Sequence, residues 1–328
     1  MITHPIAFGF KRIILVMMKK MIMAIMLGLL IAPSAHSAKY AGEFLMGVGG
    51  RPLALGGAYV AEEGDILSGF YNPAGLTGLP RREAVFMHSE TFGAELNHDY
   101  LSYASPLSMD SNGAAFAISL YRIGGGNIII TEQDSTGHFY EVGRESHAEY
   151  AGYFSFGKAI LPRVSTGVTA KLIYRDIVDE SAYGLGLDIG AIFAATDWMK
   201  LGVNIQDATT TLLSYSTGHK ESIYPTAKIG SKLHASRGRF SAIVLTDADI
   251  KFEGRDYSAQ FDIGGISFDS HLGLEISYFD KIAARIGSDI GNLTLGAGLN
   301  IRQFKIDLAL RDHADLENSL LVSLNVRF

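Results

Sequence analysis

The chain ends on an alternation: Leu320, Val322, Leu324, Val326 and Phe328 interleave with Leu321, Ser323, Asn325 and Arg327. Successive side chains of an extended strand point to opposite faces, so one face here is wholly apolar and ends in an aromatic residue, while the other is mostly polar. A strand that turns its apolar face to lipid and its polar face to an enclosed lumen has this pattern. Such a strand demands a closed sheet, because inside a bilayer every backbone group must be satisfied within the protein. The rest of the sequence should then repeat the pattern until the sheet closes on itself as a transmembrane β-barrel.

The amino terminus supplies a matching export signal. Lys19 and Lys20 precede an apolar block from Met21 to Ala32, and Ala35 and Ser37 stand at the small-residue positions before a cut ahead of Ala38. That block is short for a membrane anchor, and Met17 or Met18 would serve as a start as well as Met1. Loss of Lys11, Arg12, Lys19 and Lys20 with residues 1–37 takes the net charge from −6 to −10, which argues against nucleic acid as a partner. The chain has no Cys, so a disulfide framework and a thiolate-held metal are excluded. Its 10 His show no ligand spacing, and no metal or cofactor is expected. After the leader no apolar run approaches the roughly 20 residues of a membrane-spanning helix. The expected address is the bacterial outer membrane, with its lipid as the surrounding partner.

Residues 38–82 lack the period of two. They are rich in Gly and Ala, include Gly47-Val48-Gly49-Gly50 and Gly56-Gly57, and end in Asn72-Pro73-Ala74-Gly75-Leu76. We read them as a compact hatch, or plug, of short helical pieces and turns. From 83 to 328 the alternation predicts 14 strands, near 83–92, 98–105, 113–122, 148–158, 164–176, 182–195, 198–206, 224–234, 239–249, 269–279, 282–288, 292–302, 304–311 and 318–328. An even number suits up-and-down closure of one chain. Connections 123–147, 207–223, 250–268 and 312–317 are long and fall on one side, whereas those on the other are tight; long loops are extracellular in such barrels. Charge is costly on a lipid face, so Lys171, Asp188, Glu275, Arg285, Lys305, Asp307 and Arg327 should line the lumen. Trp198, Tyr278 and Phe328 fall near strand ends, where aromatic girdles sit.

Two segments carry a family likeness. The run from Gly47 to Ala61, GVGGRPLALGGAYVA, and Phe70-Tyr71-Asn72-Pro73-Ala74-Gly75-Leu76 resemble the hatch opening of the PorV/PorQ family, outer-membrane proteins related to the long-chain fatty-acid transporter (FadL-like) superfamily. The tail from His271 to Phe328 is similar to that family's carboxyl end. The resemblance implies an all-β, fourteen-stranded antiparallel barrel with an amino-terminal hatch. It also implies one of two roles: uptake of hydrophobic molecules, or acceptance of exported cargo in type IX secretion. Where relatives carry an Asp-Asp-Ala-Ser-Ala-like stretch, this chain has Glu62-Glu63-Gly64-Asp65-Ile66-Leu67-Ser68, which keeps the acidity and alters the spacing.

The candidate site residues follow from these elements. Phe70, Tyr71, Asn72 and Pro73 are candidates for a ligand-facing part of the hatch, although Asn72 before a proline and Gly75 after it also make ordinary turn chemistry. Gly47-Val48-Gly49-Gly50 lacks the Gly-Lys-Ser/Thr of a phosphate loop. Gly124, Gly125 and Gly126 are poor ladder residues and precede Ile128, Ile129 and Ile130. They point either to a wall opening beside an apolar capture loop or to a flexible loop with a packed patch. In FadL-like transporters a strand irregularity in this region gives substrate a lateral route to the membrane. Leu212 and Leu213 are a second, weaker capture candidate. The lumen charges either conduct or, the commoner use, pair with one another. No catalytic pair is recognisable and no enzyme is expected. The reading is a channel or binder for fatty-acid-like hydrophobic molecules, with a secreted-cargo partner or a purely structural barrel as alternatives.

Overall fold

A computed structural model describes residues 47–91, 96–107, 113–177, 180–252, 259–312 and 318–328, and of Asn127, Ile128 and Ile177 it gives the backbone alone. The expected signal peptide over 1–37 and the first part of the hatch, 38–46, lie outside the described residues.

The strands are β1 (Glu83–Thr91), β2 (Leu96–Pro106), β3 (Ala114–Gln133), β4 (Phe139–Leu161), β5 (Val164–Ile177), β6 (Glu180–Ala194), β7 (Met199–Gln206), β8 (Thr211–Tyr215), β9 (Lys220–Ile223), β10 (Thr226–Arg237), β11 (Phe240–Lys251), β12 (Phe261–Ile263), β13 (Ile266–Tyr278), β14 (Ile282–Asp289), β15 (Asn292–Ile301), β16 (Phe304–Arg311) and β17 (Ser319–Arg327). Fourteen staves form one antiparallel barrel, with β8 continuing the stave of β7, and with β9 and β12 outside the count; in it β7 pairs with β10 and β11 with β13. The sheet closes where β17 pairs with β1, from Glu83↔Arg327 to Glu90↔Leu320. Each of the fourteen expected strands overlaps one stave, several of which run beyond the expected bounds. Parity is as the alternation requires: Leu320, Val322 and Leu324 are exposed on the outer face, and Leu321, Ser323 and Asn325 are buried inside. The outward apolar belt is the physical reason this barrel belongs in a bilayer.

Two expected loops are strand instead. Residues 123–147 are not a loop: β3 and β4 continue through the glycines as a ribbon. Gly124 pairs with Ala148 and Gly125 with His147, after which the register slips, at Gly125/Ile128 and again at Ile130/Thr131. The glycines weaken the ladder locally, but Ile129, Ile130, Phe139, Tyr140 and Val142 are strand formers and carry it onward. Among the described residues the pairing of β3 with β2 ends at Leu96↔Gly125.

Residues 207–223 hold β8 and β9. β7 pairs with β6 from Ile189 to Ala194, and β8 resumes against Ala182 to Leu185, so β7 and β8 are two halves of one stave. The step between them puts Asp207 (φ 54) and Thr210 (φ 58) in the left-handed region, a conformation costing roughly 1–2 kcal/mol for a residue with a side chain. The Asp207 N–H donates to Asp188 at 2.8 Å and the Thr211 hydroxyl to Asp207 at 2.6 Å, which holds the step. The end asymmetry is also less uniform than expected, since β14 and β15 at the long-loop end are joined by a tight turn at Ile290 (φ 51) and Gly291 (φ 88), as a two-residue hairpin requires.

Inside the ring lies the segment 47–82, built from a short helix (Gly50–Ala54), a second (Ser68–Tyr71) and a 3₁₀ turn (Pro73–Gly78). Val48, Ala54, Leu55, Tyr59, Leu67 and Leu76 are fully buried. Its backbone rests on lumen-facing glycines of the wall. A Cβ at Gly157 or Gly167 would collide with Pro73, one at Gly202 with Val60, and one at Gly287 with Gly56. The Gly-rich composition is therefore a seat for this inner segment.

Candidate functional site

The anticipated residues Phe70 to Pro73 divide between two sides of the lumen. Asn72 clamps the segment to one wall: its Nδ2 donates to the Val60 carbonyl at 2.7 Å and, more distantly, to those of Ala191 at 3.3 Å and Val203 at 3.4 Å in β6 and β7. Its Oδ1 accepts from Ala74 N–H at 3.1 Å and so caps the 3₁₀ turn that Pro73 opens. Phe70 and Tyr71 face the other way, toward the aromatic side chains of β2, β3 and β4.

That second side is apolar. The Phe70 ring lies edge-on to Tyr71, Tyr100, Tyr121 and Tyr153, with centroids 5.1, 6.2, 6.1 and 5.4 Å away. Next to it, sharing Tyr121, is a cavity of about 40 Å³ lined by Leu53, Met87, His98, Ala309 and Leu321 among others. An apolar hole of about 150 Å³ holds benzene, so this cavity is too small for a ring in this conformation. Gly124 follows Tyr121 by three residues, which puts the register slip of β3 just beyond the aromatic cluster on the same stave. Past the slip, Ile129 is exposed and Ile130 half-buried; the side chain of Ile128 lies outside the described residues. Leu212 is exposed, whereas Leu213 is buried in the core beside Ile173 and Leu245. The two leucines therefore do not act together.

Elsewhere the lumen carries a set of ion pairs, and all seven anticipated charges belong to it. Lys171 lies between Asp188 at 2.8 Å and Asp207 at 2.5 Å. Arg285 joins Glu275 at 2.5 Å and Asp307 at 2.8 Å, Lys305 reaches Asp307 at 3.4 Å, and Arg327 meets Glu83 at 2.7 Å. The inner segment contributes Arg51, which sequence reasoning passed over because a lone cation in a Gly-rich stretch has no pattern. Its Nε and a terminal nitrogen donate to the two Glu275 oxygens at 2.9 and 3.0 Å, and its other nitrogen to the Tyr59 hydroxyl at 2.7 Å. Glu62 and Asp65 follow at 3.5 and 3.6 Å.

Burial pushes the Asp65 carboxyl up, but the Lys305 and Arg51 cations and the Leu67 N–H prevail and hold it down at about 2. A vestibule of about 230 Å³ at the short-turn mouth is lined by Arg51, Glu62, Glu275, Arg285, Lys305 and Arg327 among others. The lumen thus holds a neutral aromatic cluster around Phe70 together with charged groups that compensate one another.

No family model and no curated protein sequence matches this chain. Solved structures do. The toluene transporter TbuX of Ralstonia pickettii superposes with a TM-score of 0.57 at 13% identity, covering 87% of this chain and 99% of that one. The CymD monoaromatic hydrocarbon channel gives 0.56 at 10% identity, over 87% and 98%. The toluene transporter TodX of Pseudomonas putida gives 0.55 at 12%, over 85% and 96%. At such identities the likeness is one of fold. This chain shares with them the fold of a closed antiparallel barrel, and these three neighbours are named as transporters or channels.

Proposed function

We propose that the protein is an outer-membrane channel for small, uncharged hydrophobic molecules. The observation that carries this reading is a tyrosine cluster and a mainly apolar cavity next to the β3 slip, in a lumen whose named charges are ion-paired. The cavity's cation, Arg311, is paired with Asp289 at 2.8 Å, which leaves it poorly placed to bind a fatty-acid carboxylate. The neighbours named for toluene and monoaromatic hydrocarbons favour the same substrate class. In this reading the ribbon beyond Gly125 (Ile128, Ile129, Ile130) gathers the ligand at the cell surface, and the slip at Gly124 to Gly126 lets it leave sideways into the bilayer.

The test is uptake of labelled toluene and labelled palmitate by proteoliposomes holding the full chain. Toluene is expected to enter and palmitate to lag; entry of neither sinks the proposal. Deleting Gly126 alone, which would remove the one extra residue of β3 at the first slip, is expected to lower toluene uptake about tenfold while the barrel still closes, because a continuous ladder has no unpaired backbone through which a ligand passes. Unchanged uptake would remove the lateral route from the account.

A second reading, type IX export as in the PorV/PorQ family, draws on the hatch resemblance and on the exposed Phe139, Tyr140 and Val142 of the ribbon, a surface suited to a cargo domain. Co-purification of a secreted protein with the intact chain, lost on trimming the ribbon tip at 132–141, would favour it over uptake.

A further inference from the structure

We infer that Phe70 is an internal stopper: its side chain occupies a binding site for one uncharged aromatic ring, and a ligand enters only when that side chain swings out. The inference rests on the channel reading and assigns its gate.

The site is a cage whose walls come from both parts of the protein. Tyr100, Tyr121 and Tyr153 stand on the adjacent staves β2, β3 and β4, and Tyr71 closes the cage from the inner segment; all four meet Phe70 edge-on. Edge-to-face contact is the arrangement aromatic pairs prefer, so the cage is shaped around a ring. Three of its four polar tips are engaged elsewhere. The Tyr71 hydroxyl accepts from Val48 N–H at 2.9 Å and donates to the Val48 carbonyl at 3.0 Å, the Tyr100 hydroxyl donates to Ser119 Oγ at 2.9 Å, and the Tyr121 hydroxyl is bonded to His98 Nδ1 at 3.1 Å. Mostly carbon therefore faces Phe70, and a carboxylate placed there would lose its water with no cation among the four rings.

The backbone on either side of Phe70 is tied to the barrel. The Gly69 carbonyl accepts from Ser155 Oγ at 2.8 Å and Thr169 Oγ1 at 3.3 Å, and the Tyr71 carbonyl from Asn204 Nδ2 at 2.8 Å. What is left to move is the side chain, about its own two torsions. The cavity that shares Tyr121 lies next to the cage, so displacement of the Phe70 ring would leave a ring-sized site with a small cavity beside it. The stopper and the ligand are then chemical equivalents competing for one place, which explains a cage that is filled at rest yet lined for a ring.

The experiment uses proteoliposomes with the full chain and labelled toluene, with palmitate as comparison. F70A and F70C are expected to raise toluene uptake about tenfold, the gain for a cage that is free about a tenth of the time in the parent, and F70W to lower it. The chain has no cysteine of its own, so benzyl methanethiosulfonate on F70C puts a ring back at this one position. It is expected to return uptake to the parental rate, and the methyl reagent is not. Should F70A fail to form a heat-modifiable barrel, F70L, which keeps apolar bulk without a ring, gives the same reading. Parental toluene uptake with unchanged F70A, F70L and F70C rates overturns the stopper alone, as do benzyl and methyl reagents acting alike. Absence of toluene and palmitate uptake in the parent and every variant overturns the channel reading itself, and the stopper with it.

Discussion

Arg51→Ala is expected to loosen residues 47–82 inside an intact barrel, seen as hydrogen exchange accelerated about 100-fold across this segment with little change in the strand ladders. Removing one member of a buried ion pair costs about 3–5 kcal/mol when the other is left unpaired. Here the lower end applies, because each carboxylate that loses Arg51 retains a second cation. Glu275 keeps Arg285 at 2.5 Å, Glu62 keeps Lys232 at 2.6 Å and Asp65 keeps Lys305 at 3.6 Å. About 3 kcal/mol corresponds to roughly a hundredfold in an opening equilibrium. The loss has two parts, the excess negative charge and the two-pronged contact with Glu275. Adding Glu275→Gln removes the excess charge and is expected to recover about half of the loss. Exchange that rises equally in β1 and β17 would mean that Arg51 holds the barrel shut and not the inner segment in place.

The wall and the inner segment were unequally legible in the sequence. Wall strands announce themselves because lipid on one side and a lumen on the other impose a strict period of two, and the same parity placed Lys171, Asp188 and Glu275 on the inner face before any contact was known. The closing pair β1–β17 follows from strand count alone. The ribbon of β3 and β4 was read as a loop because three glycines are a local breaker, yet pairing between the Ile128–Ile130 and Phe139–Glu145 runs decides the outcome and has no period to display. The step at Asp207–Thr210 is likewise invisible, since neither residue is one that favours a left-handed backbone strongly enough to mark it. Least legible were the long-range partners. Arg51 with Glu275, and Phe70 with Tyr100, Tyr121 and Tyr153, meet only after the sheet has closed.

The wall glycines show the same division, and they carry the second large effect. Gly167→Val in β5 is expected to unseat Pro73–Gly78 and give planar bilayers a steady ion conductance that the parent lacks. A Cβ at Gly167 would fall on the Pro73 carbonyl carbon and the Ala74 nitrogen, and one at Gly157 in β4 on the Pro73 carbonyl oxygen. These are backbone atoms next to a proline ring and behind the Asn72 clamp, so they cannot yield as the tip of a flexible side chain does. Overpacking costs about 1–3 kcal/mol where neighbours can adjust and more where they cannot. The strand itself gains from the exchange, since valine suits a pleated sheet better than glycine. Strain therefore falls on the inner segment, which leaves its seat while the barrel stands.

Gly152→Val separates this seat from strand stiffening. Gly152 lies in β4 with the opposite parity to Gly157, and a Cβ there would meet nothing within 4 Å, so conductance should stay at the parental level. If Gly152→Val conducts as strongly as Gly167→Val, stiffness of the staves sets closure. If Gly167→Val alone conducts, the lumen is closed by the fit between glycine and the Pro73 backbone.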